Sequence, residues 1–577
     1  MILDTGGLTK EGAGTLTLTG NNTYSGPTTV NAGILSVNGN DSQSAVTVNL
    51  GGTLGGVGTV GPTTVFGVIA PGNAIGTLTV AGNYTQAAGS TYRTEIDPAG
   101  NSDLVNVTGA ATISNGAGVQ VVAAPGGYTV GQHYTILTAA GGVTGTYGTL
   151  TDNLPFVDFT LSYDPNDVYL DITASAVPFR QIAQTRNQIA AAGNLQTLSP
   201  GNALYDAVSG LDAPNALRAF DLISGEIHAS VVGTLLDQSH FIRDAVLERL
   251  DWSAGASPFA APIATLNLAE DDGAALGYAP GRRSPAAQAI AKALPPAAPA
   301  GRVTTAWAQA FGNWGHSDGD GNAAAVSRST GGLVAGIDTT VADAGAGPWR
   351  LGVAGGYQHT ALGVNDRASS AGIDFYHLAA YGGTQRGPLA VRLGSAFTWH
   401  DIDTARTVAF PGFFDAAHAG YAAQTAQAFG EIGYALAYRT MTAEPFARIA
   451  HVSVRTDGFT ETGAAAALTG FGGGADATVS TLGLRAAQPL AASLTVKESV
   501  GWRHAFGTIT PTAQLALAGS PSSFVVAGVP IARDAALVDL ELESRLSAAA
   551  TLGIAYSGQL SDRADDHSVS GRFVWRF

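Results

Sequence analysis

Leu389-Ala390-Val391-Arg392-Leu393-Gly394-Ser395-Ala396-Phe397-Thr398-Trp399-His400 is the stretch that decides the fold. Its odd positions are mostly large and apolar, while Ala390, Arg392, Gly394, Ala396, Thr398 and His400 are small or polar. A period of two is a strand, and an apolar face opposite one that is small, polar and charged suits a strand with lipid outside and an aqueous lumen inside. Gly430, Ile432, Tyr434, Leu436 and Tyr438 repeat the outward face with Glu431 inward. Val538, Leu540 and Leu542 do so with Asp539, Glu541, Glu543 and Arg545 inward. The polar face of a soluble sandwich would rarely be this rich in Gly and Ala. Twelve such runs start near residues 305, 329, 349, 371, 388, 426, 444, 477, 493, 536, 549 and 567, so 303–577 reads as a closed antiparallel barrel with an even strand number. Trp307, Trp314, Tyr381, Trp399, Tyr438, Trp502, Tyr556 and Trp575 are candidates for its interfacial girdles.

Composition agrees. The 577 residues carry 45% hydrophobic but only 12% charged side chains, about half the roughly 25% of soluble domains. There are 76 Gly, and Lys10, Lys292 and Lys497 are the only lysines. No window supplies the roughly 20 apolar residues of a membrane-spanning helix, so the apolar excess belongs to strands or short buried helices. Without cysteine there is no disulfide scaffold, thiolate metal site or thiol nucleophile. A net charge of -16 argues against nucleic acid as a partner.

Residues 1–175 are short alternating runs of Gly, Thr, Val, Asn and Ala, such as Thr15–Thr19 and Thr77–Val80, closed by turn signals at Gly20-Asn21-Asn22, Asn38-Gly39-Asn40 and Pro71-Gly72-Asn73. Thr-Thr-Val follows Gly-Pro at both 28–30 and 63–65. Coils of about 20 to 25 residues that bury a core only against their neighbours predict a β-helix of seven or eight coils, a rod of roughly 35 to 40 Å. Eleven acids against Lys10 and Arg93 give this rod a charge of -9.

Residues 176–252 change to a helical period: Leu217, Phe220, Ile223, Ile227, Val231 and Leu235 recur at spacings of three and four, with Asp212 as N-cap and Pro214 in the first turn. Residues 253–302 are an Ala/Pro-rich linker in which 285–294 has the propensity for a short helix.

The stretch from Gly6 to Gly26, continuing through Thr28-Thr29-Val30 to Gly33-Ile34-Leu35, resembles the passenger-associated repeat of bacterial autotransporters. Ser224-Gly225-Glu226-Ile227-His228-Ala229-Ser230 is similar to the junction of one subgroup. Trp307-Ala308-Gln309-Ala310-Phe311-Gly312, Gly501–Gly507 and the aromatic C-terminus resemble the translocator barrel. The resemblance implies an outer-membrane barrel that exports and displays its own passenger on the surface of a Gram-negative cell. Its implied partners are outer-membrane lipid, the barrel assembly machinery and periplasmic chaperones. Phe573, Trp575 and Phe577, on one face, resemble the signal that this machinery reads. The alternatives are a surface adhesin, whose stem would bind a host or matrix ligand, and a porin-like passive channel.

Chemistry is sparse. Gly56-Val57-Gly58-Thr59-Val60-Gly61 fits a dinucleotide fingerprint but has no following helix, so it reads as a β-helix turn. Asp318-Gly319-Asp320-Gly321-Asn322 lacks the Gly and distal Glu of a calcium loop and reads as a hairpin end. The eleven His residues are scattered, with no His-x-x-x-His pair on a helix and no His/Asp/Ser set read around an elbow motif, so the reading is a non-enzyme without a cofactor. The candidate functional set is the lumen charges Arg392, Glu431, Lys497, Arg503, Asp539, Glu541, Glu543, Arg572 and Arg576, expected to brace the wall or to grip a linker helix threaded through the pore. Autotransporters that cleave such a helix use an Asn-Asn junction. Asn21-Asn22 in the stem is the only one here, so the resemblance does not carry self-cleavage over. Met1-Ile2-Leu3-Asp4 begins without a basic, apolar or cleavage region, and the expectation is a fragment or a misassigned start.

Overall fold

The computed structural model describes residues 1–251, 304–341, 348–507 and 509–577. The stem is a three-faced β-helix with seven parallel strands on two faces and five on the third, which is completed by the antiparallel pair Val157–Tyr163 and Asp167–Ala174. On one face Leu8, Thr28, Val46, Thr63, Tyr84, Ala111 and Val143 stack in register, so successive coils take 17 to 32 residues. Alternate residues turn inward and fuse into one core, including Val30, Leu54, Ile69, Leu78 and Val105, all fully buried. No coil closes that core alone; each closes it against the next. Gly56, at φ +106°, turns one coil into the next where a Cβ would strike the Val37 carbonyl.

Five helices follow: α1 (Arg186–Leu195), α2 (Ala203–Ser209), α3 (Ala213–Ile223), α4 (Ile227–Gln238) and α5 (His240–Arg249). Thr185 and Gln188 form a capping box on α1, Asn202 caps α2, and Asp212 caps α3 with Pro in its first turn.

The barrel strands are Thr304–Ser317, Val326–Val341, Trp349–Val364, Ser369–Arg386, Leu389–Phe410, Phe413–Tyr434, Met441–Thr456, Gly473–Ala491, Leu494–Gly507, Asp534–Arg545, Ala550–Leu560 and Ala564–Arg576. Each pairs antiparallel with the next, and the twelfth pairs with the first from Thr305↔Arg576 to Ser317↔Ala564, closing the sheet without a free edge. Leu333, Leu378, Leu393, Ile449, Leu482 and Ile554 face outward and are exposed. They form the lipid band, because a barrel side chain without a protein neighbour must be covered by hydrocarbon.

The fifth and sixth strands run for 22 residues each, twice the roughly 9–11 a bilayer needs, and their hairpin projects beyond it. The tip at Gly412 comes up to Gly126 of the stem, and the Gly126 amide donates to the Gly210 carbonyl after α2 (3.1 Å). Helices α1–α3, the hairpin tip (Val408, Phe410) and an extra sheet built from outer loops (Phe459–Thr460, Leu468–Gly470, Thr512–Leu517, Phe524–Ala527) share one apolar core with Phe156 of the stem.

Two sequence expectations change. The sixth strand starts at Phe413, not near 426, because outside the bilayer its outward residues are Ala416, His418, Gly420 and Ala422 and the apolar alternation is lost. Trp307 and Tyr381 are not girdle residues: both point into the lumen, Trp307 over Gly336 and Tyr381 over Gly352, with Trp307 Nε1 donating to Tyr381 Oη at 2.7 Å. Glycine leaves the room on the wall that a large ring fills.

Candidate functional site

The lumen holds a helix. The predicted pore segment 285–294 lies outside the described residues. The occupant the structure describes is α4–α5, which belongs to the stretch read from sequence as the junction. At 1.5 Å per residue, Ile227–Arg249 spans about 35 Å, enough to cross a hydrocarbon layer of about 30 Å. All twelve residues of α4 are buried. Val231, Leu235 and Leu236 pack on Leu362, Phe375, Ile402 and Val452 of the wall, and farther down Val246, Leu247 and Leu250 pack on Trp307, Val334, Tyr381 and Phe429. The helix is apolar on several sides because it is surrounded by barrel, not by lipid.

Polar contacts fix its height at three levels. At the outer mouth, His228 Nε2 sits 2.9 Å from Glu461 Oε1, and Glu461 also accepts from Arg406 Nε and Nη2 (2.7 and 2.6 Å) and from the Leu468 amide (2.8 Å). Midway, the Gln358 amide donates to Gln238 Oε1 (2.7 Å), Gln238 donates to Thr330 Oγ1 (2.8 Å), and Gln427 donates to the Ser239 carbonyl (2.8 Å). At the inner end, Arg249 donates to both oxygens of Asp338 (2.7 and 2.9 Å), and Arg392 reaches the Leu250 carbonyl at 3.2 Å.

The nine sequence-predicted lumen charges divide into two groups. Arg392, Arg503 and Arg572 touch the helix segment: Arg392 through Leu250 and Asp251, Arg503 through Asp237 at 3.4 Å, and Arg572 through Glu248 at 3.5 Å. Glu431 is wall bracing, clamped by Arg392, Arg448 and Arg485. Lys497 pairs with Glu543 (2.7 Å) and Glu541 (3.4 Å), and Glu541 also binds Arg572. Asp539 lines a cavity beside α5, and Arg576, last residue of the final strand, makes no hydrogen bond or ion pair to the helix among the described residues. Sequence reading missed Arg328, Asp338, Arg350, Arg406, Glu444, Arg448, Glu461 and Arg485. For all but Glu461, which lies in an outer loop, inward placement follows from strand register, so the signal was present but needed exact strand boundaries. Phe573, Trp575 and Phe577 all face outward at the inner rim.

The other sequence candidates serve the backbone. Asp320 Oδ1 accepts from the Asn322 and Ala323 amides in the first barrel turn. Among the described residues, no histidine is bonded to a serine, and no group of three His, Asp or Glu is placed to hold a metal.

The autotransporter β-domain family model matches residues 306–557, and the passenger-associated-transport-repeat model matches 8–37. An extracellular serine protease of Serratia marcescens is 33% identical over 628 aligned residues, covering 99% of this chain and 56% of the protease; a second protein of the same description and organism is 32% identical over 630, with the same coverage. The chain therefore spans about half the length of the curated relatives it matches. Among solved structures, the translocator domain of autotransporter NalP from Neisseria meningitidis aligns with a TM-score of 0.40 at 14% identity, covering 50% of this chain and 92% of that one. The transport unit of AIDA-I from Escherichia coli aligns at 0.36 and 14%, covering 47% and 90%. With the family's barrel model on the closed twelve-stranded sheet and its repeat model on the first coils of the stem, this chain carries an autotransporter β-domain, an outer-membrane barrel, together with a surface-exposed β-helical passenger region.

Proposed function

We propose that the chain exports and displays its own stem, and that α4–α5 is the part left in the pore when export is complete. One observation carries this reading: the polypeptide leaves the β-helix beside the outer mouth, folds as α1–α3 on the outer loops, and descends the lumen as an unbroken buried path to Asp251. Movement outward needs no nucleotide. Each coil that folds outside buries backbone and apolar groups against the previous one, and a folded coil is too wide to slide back. Phe573, Trp575 and Phe577 support recognition of the last strand by the barrel assembly machinery, with periplasmic chaperones handling the unfolded chain.

The test is protease shaving of intact cells that express the chain behind an export signal, with an epitope tag before Met1. Removal of the tag together with survival of a heat-modifiable outer-membrane fragment supports display. A tag reached only after lysis refutes it.

The names of the two Serratia relatives support a second reading for what is displayed, a serine-protease passenger. Fluorophosphonate labelling of displaying cells decides it: label on a species that reacts with antibody to residues 1–175 supports a protease, and an unlabelled species leaves display without hydrolysis.

A further inference from the structure

The plug does not fill the lumen evenly. On one side α5 packs through Val246, Leu247 and Leu250 on the large side chains of the wall. Its other side, with Asp244 and Glu248, faces Ser499, Ser557, Ser568 and Ser570 across a cavity of about 180 Å³. That is room for on the order of ten waters. Several wall and helix residues that line it have no protein partner at one buried atom: Gln309 Oε1, Asn313 Oδ1, Arg243 Nε and Arg503 Nε, on side chains that are more than nine-tenths buried. Buried polar atoms of this kind need water.

Toward the outer mouth the cavity ends at a quartet of charges. Arg503 and Asp566 line the cavity; Asp237 and Arg328 line a second, much smaller one of about 20 Å³ that continues between α4 and the segment Val529–Ala532. Arg328 bridges Asp566 (2.9 Å) and Asp237 (3.5 Å), and Arg503 reaches Asp237 (3.4 Å), so the partition between the two spaces is an ion cluster and not packed hydrocarbon. Gln559 borders both.

We infer that the plugged barrel keeps a lateral passage for water and small hydrated ions beside α5, closed at the level of Asp237, Arg328, Arg503 and Asp566. This differs from a porin: the path runs along a resident helix, is interrupted in the structure, and opens only when the quartet yields. Mixed signs on its walls, Asp244, Glu248 and Asp539 against Arg243, Lys497 and Arg503, suit small ions of either charge over one large anion or cation.

The experiment uses the full chain in planar phosphatidylcholine bilayers. Arg503→Ser/Asp566→Ser removes one charge of each sign from the partition and leaves the Asp237–Arg328 pair. The expected result is a several-fold rise in single-channel conductance in KCl, with residues 227–249 still resistant to added protease. Conductance equal to the parent, or a rise accompanied by loss of that resistance, overturns the inference. A second measurement does not depend on that variant folding. In this cysteine-free chain, Ser557→Cys should react with a small cationic methanethiosulfonate added on the side of Phe577 and much more slowly with reagent on the stem side. No reaction means there is no passage, and equal rates from both sides mean the quartet is not a closure.

Discussion

Arg249, on the last turn of α5, donates one hydrogen bond to each carboxylate oxygen of Asp338 in the barrel wall, and Tyr381, itself held by Trp307, sits 3.2 Å from the same carboxylate. This chain of contacts pins the inner end of the plug. Asp338→Ala leaves a buried guanidinium without its partner, a loss of about 3–5 kcal/mol. The expected outcome is a plug that unseats from its inner end, read as increased protease cleavage within 240–251 and frequent full-open events in bilayer recordings.

Glu461 plays the matching part at the outer mouth, where it joins His228 of α4 to Arg406 of the long hairpin. Glu461→Ala strands Arg406 and should cost about 3–5 kcal/mol, whereas Glu461→Leu/Arg406→Leu, which removes both charges, should cost much less. The temperature at which the barrel loses its compact gel mobility ranks the two; a double variant weaker than the single one would contradict the pairing.

Gly225 stands at the 47° bend between α3 and α4 with φ +67°, and a Cβ there would collide with Leu468 and Leu515 of the outer loops. Gly225→Ala pays about 1–2 kcal/mol for the left-handed backbone before any collision is counted. Loosening of α1–α3 from the mouth should follow, visible as faster hydrogen exchange in 513–527 with little change in the barrel strands.

The stem has its own pH dependence. Asp103 is buried between coils and accepts from the Gly76 and Glu95 amides (2.9 and 2.8 Å), yet burial pushes its carboxyl up to about 7. Asp41, buried beside Asn22, shifts in the same direction. The folded stem therefore binds more protons than the unfolded chain between about pH 4 and 7, and its stability falls as pH rises through that window and levels off above it. Urea unfolding of the stem, followed by circular dichroism at pH 5 and pH 8, should give the higher midpoint at pH 5. Asp103→Asn should flatten most of that difference.

The barrel was legible wherever lipid imposes its alternation: Leu389 to Trp399 and Val538 to Leu542 could be read face by face. Where strands leave the membrane the rule stops applying, and the first half of the sixth strand was lost with it. Trp307 and Tyr381 looked like girdle residues because composition does not say which face an aromatic takes; the glycines opposite them, Gly336 and Gly352, lie far away in sequence and became informative only through register. The plug was read as helix but not as plug. A helix buried by a wall of mixed polarity has the same pattern as one buried in a soluble core, and its partners, Asp338 on a wall strand and Glu461 in an outer loop, are far from it in sequence.

The meeting of Gly126, Gly210 and Gly412 has a mechanical consequence. A drag force on the distal end of the rod is not borne by a single connecting segment in tension. It passes as compression and shear into a two-stranded lever 22 residues long on each arm, rooted in the closed sheet. The displayed rod is thereby held at a set bearing to the cell surface, and shortening that lever would leave it free to swing.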